Sequence, residues 1–432
     1  MEHKPSSTTI LHKKVAVNCL MKKPRPKSST GIRRQTLLQL KQENLANKSP
    51  ASTPDTRLLD GYTKVKKLGS GGFGTVWHVV EASTNSSFAL KQIPKDNAII
   101  NTAVASGIVE ARVGQKLFPT VDVVGDKLIQ YLNPSISQLD DTFITPNQEE
   151  SVPSESTKFI AQLYRVVETK QDIWLLFEQG GDTLHNSLFE IKGDFYQGSR
   201  TYKIIHRPLY IAMRENISIL KIFLRQLIAS VQTLNQHQLV HADIKPDNIL
   251  VSHYFENGRL ELSTKLIDFG SSFSSLSPRL TSATTPEYVP PDVLELIRTK
   301  YNANHIKLYF QEHCCPHSFD MWSVGCVFLE IACGVPIWFS YKSRVDTGSN
   351  TPQQPWVTGL MSSTGRKSDK IAQRQVYVAG NLEKCIRKSP GMNIDSKRWK
   401  HGIELLQKML AISPSQRISP QDALAHPFLK RS

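Results

Sequence analysis

A histidine, two aspartates, a lysine and an asparagine fall within His241-Ala242-Asp243-Ile244-Lys245-Pro246-Asp247-Asn248, and another aspartate opens Asp268-Phe269-Gly270. A carboxylate can accept a hydroxyl proton. An amide oxygen and a second carboxylate can share a divalent cation, and a lysine can hold an anion. In-line phosphoryl transfer needs this combination: an acceptor for the attacking hydroxyl's proton, oxygen ligands for Mg²⁺, and cations on the phosphates. On that reading Asp243 is the catalytic base, Asn248 and Asp268 hold Mg²⁺, and Lys245 with Lys91 faces the phosphates.

Upstream, Gly69-Ser70-Gly71-Gly72-Phe73-Gly74-Thr75-Val76 fits the pattern GxGxxGxV. Glycines let backbone amides approach phosphate oxygens with no Cβ in the way. Alone the pattern is weak. Here it joins two strand-like segments, which separates it from a dinucleotide-binding turn, where a strand meets a helix. Lys91, in Phe88-Ala89-Leu90-Lys91, sits on a further strand-like run and needs an anionic partner if buried. Glu110 lies in the helical stretch that follows. Either could be an ordinary surface charge, but their spacing after a glycine loop favours an ion pair holding phosphate.

The elements that must position these groups can be read in outline. Tyr62–Leu68, Thr75–Val80, Phe88–Ile93, Ile160–Glu168 and Ile173–Phe177 read as strands, interrupted by a helix over about Ala103–Leu117. From Ser187 onward the pattern turns mostly helical. Val324–Phe339 is the most apolar run and, with Glu330 and two glycines in it, reads as a buried helix. Strands first and helices afterwards imply an α+β chain with two unlike lobes. Polar stretches near 120–157, 191–210, 253–263, 299–317 and 342–380 read as surface inserts, because structureless loops of that length are uncommon inside a domain.

The motifs together resemble the protein kinase superfamily, Ser/Thr type, over about residues 60–430. Thr285-Pro286-Glu287-Tyr288-Val289-Pro290-Pro291-Asp292 is similar to the family's peptide-positioning segment. Asp320-Met321-Trp322-Ser323-Val324-Gly325 looks like its central helix, and Arg417 like the partner of Asp292. The resemblance implies a bilobal kinase fold over 59–430. A small antiparallel β-sheet lobe plus one helix would span about 59–179, and a large mainly helical lobe about 180–430. It also implies ATP and Mg²⁺. The glycine loop, from Leu68 through Gly69, Ser70, Gly71, Gly72, Phe73 and Gly74 to Val76, would cover the nucleotide. Ala89, Lys91, Glu110, Glu178 and Gly180 would complete that site, with Phe177 at the gatekeeper position.

Within the superfamily, the His241–Leu250 loop and Ala423–Phe428 resemble the dual-specificity tyrosine-regulated and pre-mRNA-processing branch. Val289 departs from that branch, which usually carries arginine there. Three further departures bear on mechanism. Ala242 replaces the arginine that usually meets an activation-segment phosphate. Gly114 falls where an apolar residue is usual, one turn after Glu110, unless the neighbouring Val113 fills that role. Asp292 replaces a glutamate. Three other classes compete: a kinase-like scaffold without activity, disfavoured because Lys91, Glu110, Asp243, Asn248 and Asp268 are all present; a small-molecule kinase, disfavoured by the Thr285–Asp292 segment; and a nucleic-acid binder.

The last class draws on the charge, +15 over 432 residues, of which residues 1–60 supply +8. That stretch is rich in Ser, Thr, Pro, Lys and Arg, and residues 1–58 read as a disordered basic tail with a short helix around Thr36–Glu43. It lacks the interleaved aromatics that stack on bases, so nucleic acid is not the expected main partner. Lys22-Lys23-Pro24-Arg25-Pro26-Lys27 resembles a nuclear-localisation signal or is a solvated charge run. The expected partners are protein substrates and, through the tail, an import receptor or docking protein; the expected location is nucleus and/or cytoplasm. No run of ~18 apolar residues suggests a membrane span, and six scattered cysteines without a CxxC pair suggest a reduced compartment.

Overall fold

The computed structural model describes residues 60–95, 102–125, 155–196, 199–256, 259–280, 284–298, 303–312, 314–338, 343–346, 359–360 and 368–430. The expected tail, with its basic cluster and short helix, lies outside the described residues, as does most of the 120–157 insert.

The first lobe is a six-stranded sheet with one helix. Strands β1 (Tyr62–Gly71), β2 (Gly74–Glu81) and β3 (Ser87–Pro94) form a meander. Helix α1 (Thr102–Leu117), strand β4 (Asp122–Val124), strand β5 (Leu163–Glu168) and strand β6 (Asp172–Glu178) follow, in the sheet order β1-β2-β3-β6-β5-β4. All pairings are antiparallel except β4 with β5. Alternation of side chains across a strand explains the two packed faces. Val79, Leu90, Val167, Trp174 and Leu176 cluster on one face. Ile93, Leu163, Val166, Ile173 and Leu175 join the main core with Ala111, Val113 and Leu117 of α1.

The second lobe begins with β7 (Asp182–Thr183) and the short α2 (Leu184–Leu188), capped by the Thr183 hydroxyl. A hairpin of β8 (Phe189–Tyr196) and β9 (Ser199–His206) comes next, then α3 (Pro208–Glu215), α4 (Ile217–Gln236) and β10 (Leu239–Val240). A second hairpin, β11 (Ile249–Glu256) with β12 (Arg259–Leu266), precedes β13 (Phe273–Ser274). The remainder is helical: α5 (Pro291–Arg298), α6 (Ala303–Glu312), α7 (Pro316–Cys333), then β14 (Ser343–Asp346), α8 (Ser368–Ala379), α9 (Leu382–Arg387), α10 (Lys397–Met409) and α11 (Pro420–Leu424).

Helix α7 is the axis of this lobe. Every residue from Ser318 to Cys333 is buried, and Gly334 ends the helix at φ +68°, a conformation that suits glycine. Helix α4 is long and apolar enough to cross a membrane by length and composition, but Leu220, Phe223, Leu224, Leu227 and Val231 pack into the core, as in a core helix.

Two of the stretches read as surface inserts are strands. Residues 191–210 belong largely to β8 and β9, with β14 added in parallel beside β9, and 253–263 to β11 and β12. The signal was present. Ile-Leu-Val-Ser-His-Tyr-Phe is rich in β-branched and aromatic residues, and Asn257-Gly258 is the pair that most favours a two-residue hairpin turn. The 299–317 stretch contains α6 and the start of α7, and 342–380 contains β14 and α8.

Candidate active site

The site lies where β3, α1, the β10–β11 connection and the end of β12 converge. Strand β3 carries Lys91 inward, 8% exposed. Its Nζ donates to Glu110 Oε2 at 2.6 Å and to Asp268 Oδ1 at 2.9 Å. The ion pair expected from spacing therefore forms and gains a third member. Burial works against charge on Lys91, but Asp268 and Glu110 outweigh it and hold the ammonium above its usual range. Burial likewise raises Asp268, and Lys91, with His241 and Lys245, overcomes it, so this carboxyl stays below the ordinary carboxylate range.

Asp243 is 6% exposed and is held from three sides. Lys245 Nζ donates to its Oδ2 at 2.7 Å and Asn248 Nδ2 to the same oxygen at 3.0 Å. The Thr285 backbone N–H donates to Oδ1 at 3.1 Å, and Lys245 also reaches the Thr285 hydroxyl at 2.8 Å. The loop is fixed from below: the His241 and Ala242 amides donate to the two carboxylate oxygens of Asp320 on α7 at 2.8 and 3.0 Å. Ala242 and Asp268 both have φ near +65°, a strained conformation for residues with a Cβ, which this network holds. The His241 ring meets Phe269 at 4.8 Å between centroids and pairs with the Ile267 carbonyl at 3.0 Å.

Metal fit can be judged from unused donors. With Nδ2 engaged on Asp243, Asn248 keeps Oδ1 without a hydrogen bond from the described residues, and Asp268 keeps Oδ2. These are two hard oxygen donors, one of them ionised, which suits Mg²⁺.

The glycine loop is the β1–β2 turn, with Gly71 opposite Gly74 and Gly69 opposite Val76. Gly74 has φ +129°, and a Cβ there would lie 2.2 Å from the Gln92 carbonyl, so the position requires glycine. Leu68, Gly69, Ser70, Gly71 and Gly72 are exposed; Phe73, Val76 and Ala89 are half-buried. At the far edge Phe177 and Glu178 end β6. Glu178 Oε2 accepts from Lys265 at 2.8 Å, a contact not foreseen from the sequence, and Gly180 is buried where a Cβ would press on Leu250. Asp292 meets Arg417 as expected, and Tyr309 of α6 donates to the same carboxylate.

A profile of the protein kinase domain matches residues 148–429, well over half of the chain. The chain belongs to the protein kinase family. Among curated relatives, cyclin-dependent kinase C-2 of Oryza sativa subsp. japonica is 28% identical over 393 residues, spanning 85% of this chain and 59% of the relative. The Arabidopsis thaliana protein of the same name is 25% identical over 390 residues, with 85% and 59% covered. Human cyclin-dependent kinase 14 is 28% identical over 278 residues, 62% of this chain and 48% of the relative. The chain thus spans about half of the length of these relatives.

Proposed function

We propose that this kinase domain transfers the γ-phosphoryl group of ATP to serine or threonine in protein substrates. The observation that carries the reading is Asp243, ionisable, held by Lys245 and Asn248, and tied to Thr285 at the start of the segment that resembles a peptide platform. Asp243 takes the hydroxyl proton as the oxygen attacks. Lys245 neutralises charge beside it, and Lys91, held by Glu110, orients phosphate oxygens. Mg²⁺, when held by Asp268 and Asn248, supplies charge neutralisation on the phosphates.

The test is phosphorylation of a degenerate peptide library by the purified chain alone. Asp243→Asn, Lys91→Met and Asp268→Ala should each lower kcat/KM by about 10²-fold or more. Turnover near wild type in all three would refute the mechanism, and mainly phosphotyrosine in the product would refute the acceptor class. The same library checks a finer reading, a basic residue two or three positions before the acceptor, facing Asp182 or Asp247. The names of the relatives make a cyclin a partner to try if the chain alone is inactive. The relatives reported above are cyclin-dependent kinases and lend no support to the tyrosine-regulated and pre-mRNA-processing branch. We place the protein in the nucleus and/or cytoplasm on the Lys22–Lys27 cluster; unchanged distribution after its four basic residues are neutralised would remove that ground.

A further inference from the structure

The catalytic loop lacks its usual arginine, and the structure fills that place with hydrocarbon. Ala242, 2% exposed, lies in a separate apolar cluster with Phe273 and Val289 from the segment between Asp268 and Asp292. Helix α6, within the 299–317 insert, closes the cluster. Ile306, Tyr309 and Phe310 recur at helical spacing on one face, while Leu308 is 48% exposed on another. Phe310 packs edge-on against Phe273 at 5.3 Å between centroids, and Phe273 meets Phe319 of α7 at 6.3 Å. The Tyr309 hydroxyl donates to Asp292, so one helix grips both ends of the segment.

Hydroxyls in the segment's first part are poorly placed for modification. Ser271, Ser272 and Ser274 are all buried; the Ser272 hydroxyl donates to the His241 carbonyl at 3.3 Å, and the Ser274 hydroxyl accepts from the Leu276 amide at 3.3 Å. A phosphate on any of them would have to enter a buried layer in which Ala242 stands at the usual arginine's place, leaving Arg279 of the segment and Arg112 of α1, which repel each other, as the cations nearby.

We propose that α6 is a built-in strut that orders the two described stretches of this segment, Phe273–Leu280 and Thr284–Asp292, by apolar packing, in place of an activating phosphate, with Phe310 as its positioning residue. This rests on the kinase reading for its consequence but not for its physics. Removing the Phe310 ring leaves a void against Phe273, and the segment should open locally while the α7 core stays closed.

The experiment uses the full chain after phosphatase treatment, with mass spectrometry showing the segment bare. Wild type, Phe310→Ala, Phe310→Leu and the exposed-face control Leu308→Ala are compared. Readouts are peptide kcat/KM, affinity for a non-hydrolysable ATP analogue, and amide hydrogen exchange across 269–292 and across α7. Phe310→Ala should lower peptide kcat/KM by about tenfold or more and raise exchange only in the segment, with analogue affinity within about twofold. Phe310→Leu should recover most of the loss, and Leu308→Ala should match wild type.

Wild-type exchange and peptide kcat/KM in a folded Phe310→Ala variant would overturn the strut. So would a bare wild-type enzyme regaining about tenfold or more on rephosphorylation of the segment. If Phe310→Ala exchanges faster throughout, Tyr309→Phe, which keeps the ring and removes the hydroxyl that donates to Asp292, takes its place, and unchanged exchange in the segment sinks the idea. A wild type without phosphotransfer would refute the kinase reading, while the exchange data would still judge the strut.

Discussion

Gly114 shows how a residue that looks like a defect in the sequence is a fit in the structure. It stands one turn after Glu110, where an apolar side chain is expected, yet the space is filled. A Cβ added there would lie 2.2 Å from Leu163 Cδ2 and 3.1 Å from Leu163 Cβ, and Leu163 is 1% exposed. The side chain comes from β5 instead of α1. Two effects compete in Gly114→Ala. Helix propensity favours alanine by about 1 kcal/mol, and overpacking a closed core costs about 1–3 kcal/mol. Rotating the tip of Leu163 would move Cδ2 but leave Cβ and Cγ crowded at 3.1 and 3.2 Å, and with Leu163 1% exposed the closed core gives the tip nowhere to go, so overpacking wins. Gly114→Ala should therefore lower stability in chemical denaturation. The double variant with Leu163→Ala should lose less than the two single losses added, since the deletion makes room for the insertion. A stabilised Gly114→Ala would show that the β5 side chain yields easily.

Helices α6 and α8 show elements acting on the Thr285–Asp292 segment from outside the candidate catalytic motifs. Gln375 on α8 is fully buried, and its Nε2 donates to the Val289 carbonyl at 2.8 Å and the Glu287 carbonyl at 3.3 Å. The opposite end of that segment is tied by Thr285 to Asp243 and Lys245, and its middle by Ser323 Oγ donating to the Tyr288 carbonyl at 2.9 Å. The segment is thus pinned at three points along five residues. Gln375→Leu keeps the volume and removes the donor, leaving the Val289 carbonyl buried without it, a loss of about 1–3 kcal/mol. The expected kinetic sign is a several-fold rise in the KM for peptide with the KM for ATP unchanged, because the nucleotide site shares no atom with this contact. Equal changes in both constants would place the effect elsewhere.

At the scale of the molecule, α7 ties the Thr285–Asp292 segment to the core through a buried carboxyl. Glu330 is 0% exposed and its Oε2 accepts from the Tyr288 hydroxyl at 2.5 Å and the Ile337 amide at 3.4 Å. Burial pushes this carboxyl up to about 8, against the opposing pull of those two donors. The sign follows directly. Between the ordinary glutamate value and about 8 the folded chain keeps the proton and the unfolded chain releases it, so stability falls as pH rises through that window. Glu330→Gln cannot titrate. The stability of this variant relative to wild type should rise from pH 5 to pH 8 and then level off, read by urea denaturation at several pH values. A flat difference would mean that the two donors hold Glu330 ionised.

The sequence by itself determined the two unlike lobes and the protein kinase family. Lys91, Glu110, Asp243, Lys245, Asn248 and Asp268 were legible as a candidate constellation, which the structure brings into contact, because the spacing that phosphoryl transfer calls for is so restrictive, and α1 with five of the six first-lobe strands followed from periodicity. Strand β4 is too short for period to show. The hairpins β8–β9 and β11–β12 were readable in principle from their β-branched runs and from Asn257-Gly258, but their polar residues made these stretches read as surface inserts. What only the tertiary structure decided are contacts between segments far apart in the chain: Leu163 under Gly114, Lys265 on Glu178, Phe310 against Phe273, Gln375 on the Val289 carbonyl. In each case residue type permits many partners, and the partner is chosen by which surfaces the packed core leaves opposite one another, a property of the whole chain that no local spacing carries.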